Sequence, residues 1–378
     1  MLFRSASVNV DLPAPIGKKT VNIAETPTDA IGIQLDLHYP LFAGFRISEG
    51  VELARLRAGV RLKEYELRVD DLAFEILRLF WESIRARDAL ASIDKNLELV
   101  KVHAEEVRRL AAAGLAVRED VLKVEMRIAR TELLRIEADS GYELAVLRLK
   151  TAAGIPRERA VRPAPERDWN RRPARVSAGP RDSEVGSLIG KAFSGREELS
   201  VASDAAKMRE SAKKIARADY YPSLLVTGNY TFAKPNSRIF PPPSSFEDTW
   251  QVGVAARIDL GGLPAAAART AQAAVLEESA WNDIEALRER IVLEVTERYL
   301  GLEKAEQSVE VARTMKVQAE ESLKTAEEKF KNGLAKSSDV LDEQNNLLQA
   351  ELAVTGSAID RMVAEAALKR AVGDFHGR

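Results

Sequence analysis

Nine residues, Gly114-Leu115-Ala116-Val117-Arg118-Glu119-Asp120-Val121-Leu122, return 219 positions later as Gly333-Leu334-Ala335-Lys336-Ser337-Ser338-Asp339-Val340-Leu341, with six of the nine identical. An offset of more than half the 378-residue chain means that one structural unit is written twice. Sliding the sequence against itself at that offset extends the match both ways, as far as Leu149-Lys150 and Gly154 against Leu368-Lys369 and Gly373.

The unit starts with strands. Ala6, Val8, Val10 and Leu12 alternate with Ser7, Asn9 and Asp11, the period of a strand with one apolar face. A loop with Pro13, Pro15, Gly17 and Pro27 follows, then Ile31, Ile33, Leu35, Leu37 and Tyr39 alternate with Gly32, Gln34, Asp36 and His38. This predicts a hairpin of 6–12 with 31–39. The second copy offers 224–232, then Trp250, Val252, Val254, Ala256 and Ile258 against Gln251, Gly253, Ala255 and Arg257.

A proline-free run follows each strand pair. In the first, Val69, Leu72, Ile76, Leu79, Ser83, Ala86, Leu90, Ile93, Leu97, Val100, Ala104, Val107 and Ala111 step by three and four, a coiled-coil seam. The second repeats it with Ile291, Val295, Leu302, Ala305, Val309, Ala312, Ala319, Leu323, Ala326 and Phe330. A helix from 46 to 112 would span roughly 100 Å, more than a globular domain needs. A return helix follows each glycine turn; the first offers Val121, Leu122, Met126, Leu133 and Ile136 as its inner face. Between the copies lie a proline-rich, arginine-rich linker and a helix from about 184 to 218.

Composition agrees with long solvated helices: 30% charged residues and 6% aromatics. A net charge of −2 argues against a nucleic-acid binder. Without cysteine there is neither disulfide nor thiolate metal site, and no apolar run reaches the length of a transmembrane helix. The start lacks an export signal, so any such signal is expected to be missing or already removed.

Two strands per copy cannot close a barrel alone, and a four-stranded ribbon would leave its edges unpaired. Three copies of the chain would supply 12 antiparallel strands, an even number suited to an outer-membrane barrel. Ile31, Ile33, Leu35, Leu37, Tyr39, Trp250, Val252, Val254 and Ile258 would then face lipid, with the polar parity lining water.

The Tyr39-Pro40-Leu41-Phe42-x-Gly44 strand exit and Gly-Leu followed by Asp-Val-Leu, in this order and twice, resemble the TolC-like outer membrane efflux proteins. The resemblance implies an α+β, mainly α fold with a duplicated strand-strand-long helix-helix unit. It implies a homotrimer whose 12-stranded barrel in the outer membrane continues into a periplasmic α-helical barrel. The expected divisions are 1–45 (first β-hairpin), 46–154 (first helical hairpin), 155–186 (equatorial linker), 187–219 (helix of the second repeat), 220–263 (second β-hairpin) and 264–378 (second helical hairpin). Relatives carry a further helix before the first strand, so the chain reads as an N-terminally incomplete copy.

The implied function is a passive exit duct of a tripartite efflux or type I secretion system. Its expected partners are a periplasmic adaptor, an inner-membrane transporter and outer-membrane lipid. Gly114, Leu115, Gly333 and Leu334 would be adaptor-docking tips; glycine as a simple helix terminator is the competing reading. Asp339 and Asp342, one helical turn apart, with Asp120 and Phe330, would form the entrance gate, against a solvated helix N-terminus. Lys123 interrupts the acidic pair in the first copy. Some relatives tie the entrance with an arginine and a tyrosine; the matching positions here are Ala335 and Phe330, so that lock is expected to be missing or different.

His38, His103 and His376 are too scattered for a metal site, and there is no nucleotide or nucleophile motif. An enzyme is not expected, nor a cofactor. Two competitors share the long helices. A periplasmic adaptor has one hairpin rather than two equal copies, and a coiled-coil scaffold leaves the strands unexplained.

Overall fold

The computed structural model describes residues 6–11, 18–24, 30–165, 181–240 and 243–375. Leu12, His376 and the middle of the predicted linker lie outside the described residues. The elements run β1 (Ala6–Asp11), β2 (Lys18–Ala24), β3 (Ile31–Ala43), α1 (Arg46–Ala112), α2 (Arg118–Ala152), α3 (Arg181–Gly195), α4 (Glu197–Arg217), β4 (Ser223–Lys234), β5 (Glu247–Arg257), α5 (Leu263–Lys331) and α6 (Ser337–Val372), with a 3₁₀ turn at Ala218–Tyr220. The protein is mainly helical. Helices α1 and α5 have 67 and 69 residues, and the proline-free runs predict both. Gly50, Gly59 and Gly301 sit inside them, and a Cβ built on any of the three would meet no neighbouring element within 4 Å. Each costs about 1 kcal/mol of helix propensity, small beside the packing of so long a helix.

Two compact units form, 1–58 with 204–281 and 59–203 with 282–378. The first holds the sheets. Strands β3, β4 and β5 make one antiparallel sheet with β4 in the centre, Leu35 opposite Tyr230 and Tyr230 opposite Trp250. The expected hairpin of 6–12 with 31–39 does not form: β1 pairs with β2, Ala6 reaching Ala24 and Asp11 reaching Lys18. A local partner seven residues away costs far less loop entropy than a distant one.

Below the sheet the chain bends sharply. Gly44 takes φ +60, and a Cβ there would stand 2.5 Å from the Ala218 carbonyl oxygen, so only glycine lets these backbones touch. Asp219 beside it accepts from both Arg46 and Arg269, the latter at 2.8 Å, tying the starts of α1 and α5 to one carboxylate. Lys213 of α4 likewise pairs with Glu277 of α5.

The second unit is packed helices. The predicted seams are buried from Leu79 to Val107 in α1, with Ala86 and Leu90 only half-buried, and from Ile291 to Ala326 in α5; at the ends of the first seam Leu72 is exposed and Val69, Ile76 and Ala111 are half-buried. A second face of α1, Trp81 and Ile84, packs on Ile359 of α6. The predicted inner face of α2 is corrected: Leu122, Met126, Leu133 and Ile136 are exposed, and Val124, Thr131 and Ala145 are buried instead. Smaller side chains let α2 approach its neighbours closely, and the large ones remain on the open side.

The single helix expected over 184–218 is interrupted at Arg196. Gly195 there lies against the end of α6, where a Cβ on Gly373 would meet the Gly195 carbonyl carbon at 2.7 Å. Arg196 turns its guanidinium to Glu198 at 3.2 Å and Glu294 at 2.6 Å.

Candidate functional site at two glycine turns

Both repeated turns close by the same backbone device. Gly114 and Gly333 adopt φ 76 and 73, the left-handed region. Leu115 N–H donates to the Leu110 carbonyl and Leu334 N–H to that of Lys329, both at 2.8 Å. Gly114 and Gly333 N–H donate to Ala111 and Phe330 carbonyls at 3.0 and 2.9 Å. This pair of bonds caps the orphan carbonyls of α1 and α5. It also pushes the next side chain outward: Leu115 is 77% and Leu334 78% exposed. The helix-terminating role is therefore real, and the exposed leucine is a second property it does not require.

The residues around the two turns differ. Asp339 curls back so that its Oδ2 accepts from Lys336 N–H at 2.9 Å, capping the start of α6. Asp342 is exposed and faces Arg127 of α2 at 3.4 Å. The two predicted gate carboxylates thus share a face, one engaged with backbone and one with a partly compensating cation. Asp120 is half-buried at the matching place, and Lys123 pairs with Glu119 at 2.7 Å. That ammonium, hydrogen-bonded and adjacent, holds the Glu119 carboxyl below its usual range.

Phe330 does not stand free at an entrance. It packs against two clusters: Ala319, Leu323, Ala326, Val340, Leu347 and Ala350 of the second hairpin, and Val100, Ala104, Val107, Val124 and Leu341, which includes residues of the first. Its ring meets His103 edge-on at 4.9 Å. Ala335 is half-buried in the turn itself. His103 is 4% exposed, and its Nε2 lies 3.0 Å from Ser337 Oγ. Sequence reasoning passed over this histidine because it stands beside the seam position Ala104 and belongs to no ligand pattern.

In the sheet, Ile31, Ile33, Leu35, Leu37, Tyr39, Trp250, Val252 and Val254 are 60 to 74% exposed, and Ile258, just beyond β5, is exposed too. The opposite parity is hydrogen-bonded: Asp36 accepts from Gln34 and Asn229, and Thr231 donates to Asn229 at 3.0 Å. One face is thus bare hydrocarbon and the other a polar network. No helix among the described residues is long and apolar enough to cross a membrane.

Residues 188–374 match the family model described as outer membrane efflux protein. That stretch of the chain carries an outer membrane efflux protein domain. No curated protein matches the chain by sequence. Its fold is that of solved outer-membrane channels. OprN aligns at 18% identity with a TM-score of 0.79, over 99% of this chain and 81% of that one. VceC from Vibrio cholerae aligns at 17% and 0.74, over 98% and 85%. MtrE of Neisseria gonorrhoeae, solved in an open state, aligns at 15% and 0.71, over 98% and 79%. The bare face of the sheet and the two capped turns are thus set in a channel fold.

Proposed function

We propose that the protein is the outer-membrane exit duct of an efflux or secretion system, passing solutes outward from a pump in the inner membrane without chemistry of its own. The observation that carries this is the sheet β3-β4-β5, apolar and exposed on one face and polar on the other. Such a surface is stable when lipid covers the first and water the second. Strands of 11 to 13 residues are long enough to cross a membrane at a tilt.

Both outer edges of the sheet call for partners, which favours assembly from three copies. Three copies of three strands give nine; a barrel of 12 takes a fourth from each, and residues 6–24, which pair with each other in the single chain, are the supply. The helical hairpins at 46–154 and 264–378, the strands within 1–45 and the β-hairpin within 220–263 follow the plan of one repeated unit, with 155–186 and 187–219 between. Gly114-Leu115 and Gly333-Leu334 are the docking tips for a periplasmic adaptor, on the strength of their exposed leucines. Asp339, Asp342 and Asp120 provide negative charge at the entrance, with Asp342 the most exposed to passing ions and Phe330 bracing the helices behind it.

The competing scaffold reading leaves the bare sheet without a use, and the adaptor reading does not call for two equal hairpins. Light scattering of the detergent-extracted protein, followed by planar-bilayer recording, tests the proposal: a trimer that conducts with cation preference is expected. A monomer with no conductance would overturn it.

A further inference from the structure

The core behind the second turn contains a titratable group for which passive conduction has no use. His103 lies on α1, in the first helical hairpin, yet its two partners flank the turn of the second: Phe330 in the last turn of α5 and Ser337 at the start of α6. The ring therefore touches both sides of Gly333 from the opposite hairpin. Leu341 extends the same contact, packing with Val100, Ala104, Val107 and Val124.

We propose that His103 is a pH-responsive tie between the second turn and the first hairpin, holding the start of α6 against α1 while neutral and releasing it when protonated. The neutral imidazole suits this site: one nitrogen meets a hydroxyl and the ring edge meets an aromatic ring. A proton would place a cation among buried aliphatic side chains, where desolvation is expensive. The charged group that acts on the ring is Glu106, one turn along α1. Helix α5 meets the ring with Phe330 and α6 meets it with Ser337, both uncharged, and α2 reaches the same cluster with Val121 and Val124. Burial accordingly pushes the His103 pKa down, against the smaller opposing pulls of Ser337 and Glu106.

The direction of the effect follows from linkage. With its pKa lowered in the closed arrangement, His103 binds its proton more readily once the turn has lifted. The closed state therefore loses stability as pH falls from the ordinary histidine value, about 6.5, toward the lowered one, and holds level below it. This rests on the packing of the helices and is independent of whether the chain forms a duct.

The sequence has no cysteine, so one introduced thiol is a unique reporter. Val107→Cys places it in the buried cluster that a lifting turn uncovers, and Leu334→Cys at the exposed tip supplies the reference rate at each pH. In the full-length protein in detergent, labelling of the Val107→Cys variant relative to the Leu334→Cys variant should be low at neutral pH. As pH falls below about 6.5 it should rise, by up to about tenfold per unit separating the two pKa values. Adding His103→Gln, which keeps a hydrogen-bonding side chain and cannot become cationic, should abolish the rise. A rise that survives His103→Gln, or no rise in its absence, overturns the proposal. If His103→Gln unpacks the cluster even at neutral pH, Ser337→Ala decides instead. It retains the histidine but removes the hydroxyl that joins the start of α6 to the ring, so labelling at neutral pH should rise, and unchanged labelling counts against the tie. The three histidines also permit direct titration by NMR, where the resonance missing from His103→Gln must titrate with the same midpoint as labelling.

Discussion

Leu122 and Leu341 hold the same register in the two copies, yet Leu341 is 5% exposed and Leu122 54%. The turns before them are alike in backbone, so the difference lies in their neighbours. The second hairpin rests on the first hairpin of its own chain, through Leu341, Phe330 and His103. The first has no second hairpin on its other side within one chain. A repeat that satisfies one junction and leaves the equivalent one bare is what one chain of the proposed trimer would show, with the next copy supplying the missing contact. The large residues on the open side of α2, Met126, Leu133 and Ile136, belong to that waiting surface.

The leucines give the sharpest way to break this comparison. Leu341→Ala empties a packed site and should destabilise the chain by about 3 kcal/mol, read as a lower urea midpoint. Leu122→Ala should leave the midpoint of the separated chain within about 0.5 kcal/mol while shifting light scattering from oligomer to monomer. Equal loss of stability in both would mean that the two junctions are already equivalent within one chain.

The glycines should behave alike. Nothing lies within 4 Å of a Cβ placed on Gly114 or Gly333, so only the left-handed backbone opposes a side chain. Gly114→Ala and Gly333→Ala should each cost about 1 kcal/mol. A difference of more than that between them, by the same urea measurement, would show that the surroundings and not the backbone govern the turns.

The smallest effect is expected at the ion pair present beside only one turn. Arg127 and Asp342 are matched in the other copy by Asn346 and Lys123. Because Asp342 is largely exposed, Asp342→Asn should change stability by less than about 1 kcal/mol. Its consequence should appear in the cation-to-anion permeability ratio of the reconstituted protein, which falls. An unchanged ratio would remove Asp342 from the entrance.

The sequence revealed the parts of this fold that depend on a period. Alternation marked β3 and β5, and the three-four steps marked seams that the structure buries. Parts that depend on contact between distant segments were less legible. The strand Lys18–Ala24 lies among prolines and a glycine that read as loop, although Lys19, Val21 and Ile23 alternate with Lys18, Thr20 and Asn22. The break at Arg196 is signalled by one glycine, Gly195, whose meaning comes from Gly373, 178 positions later. At the site, the glycine turns and carboxylates could be read from the repeat. The bracing role of Phe330 and the tie through His103 could not, since each rests on a neighbour in another helix.

The bare face of the sheet also governs the protein's passage to its place of work. Nine large apolar side chains, in rows on the two strands that flank β4 and beside open strand edges, make a surface that in water adheres to any similar surface it meets. For a chain that works in lipid as proposed, every watery compartment crossed beforehand is a place where this face favours aggregation unless it is covered.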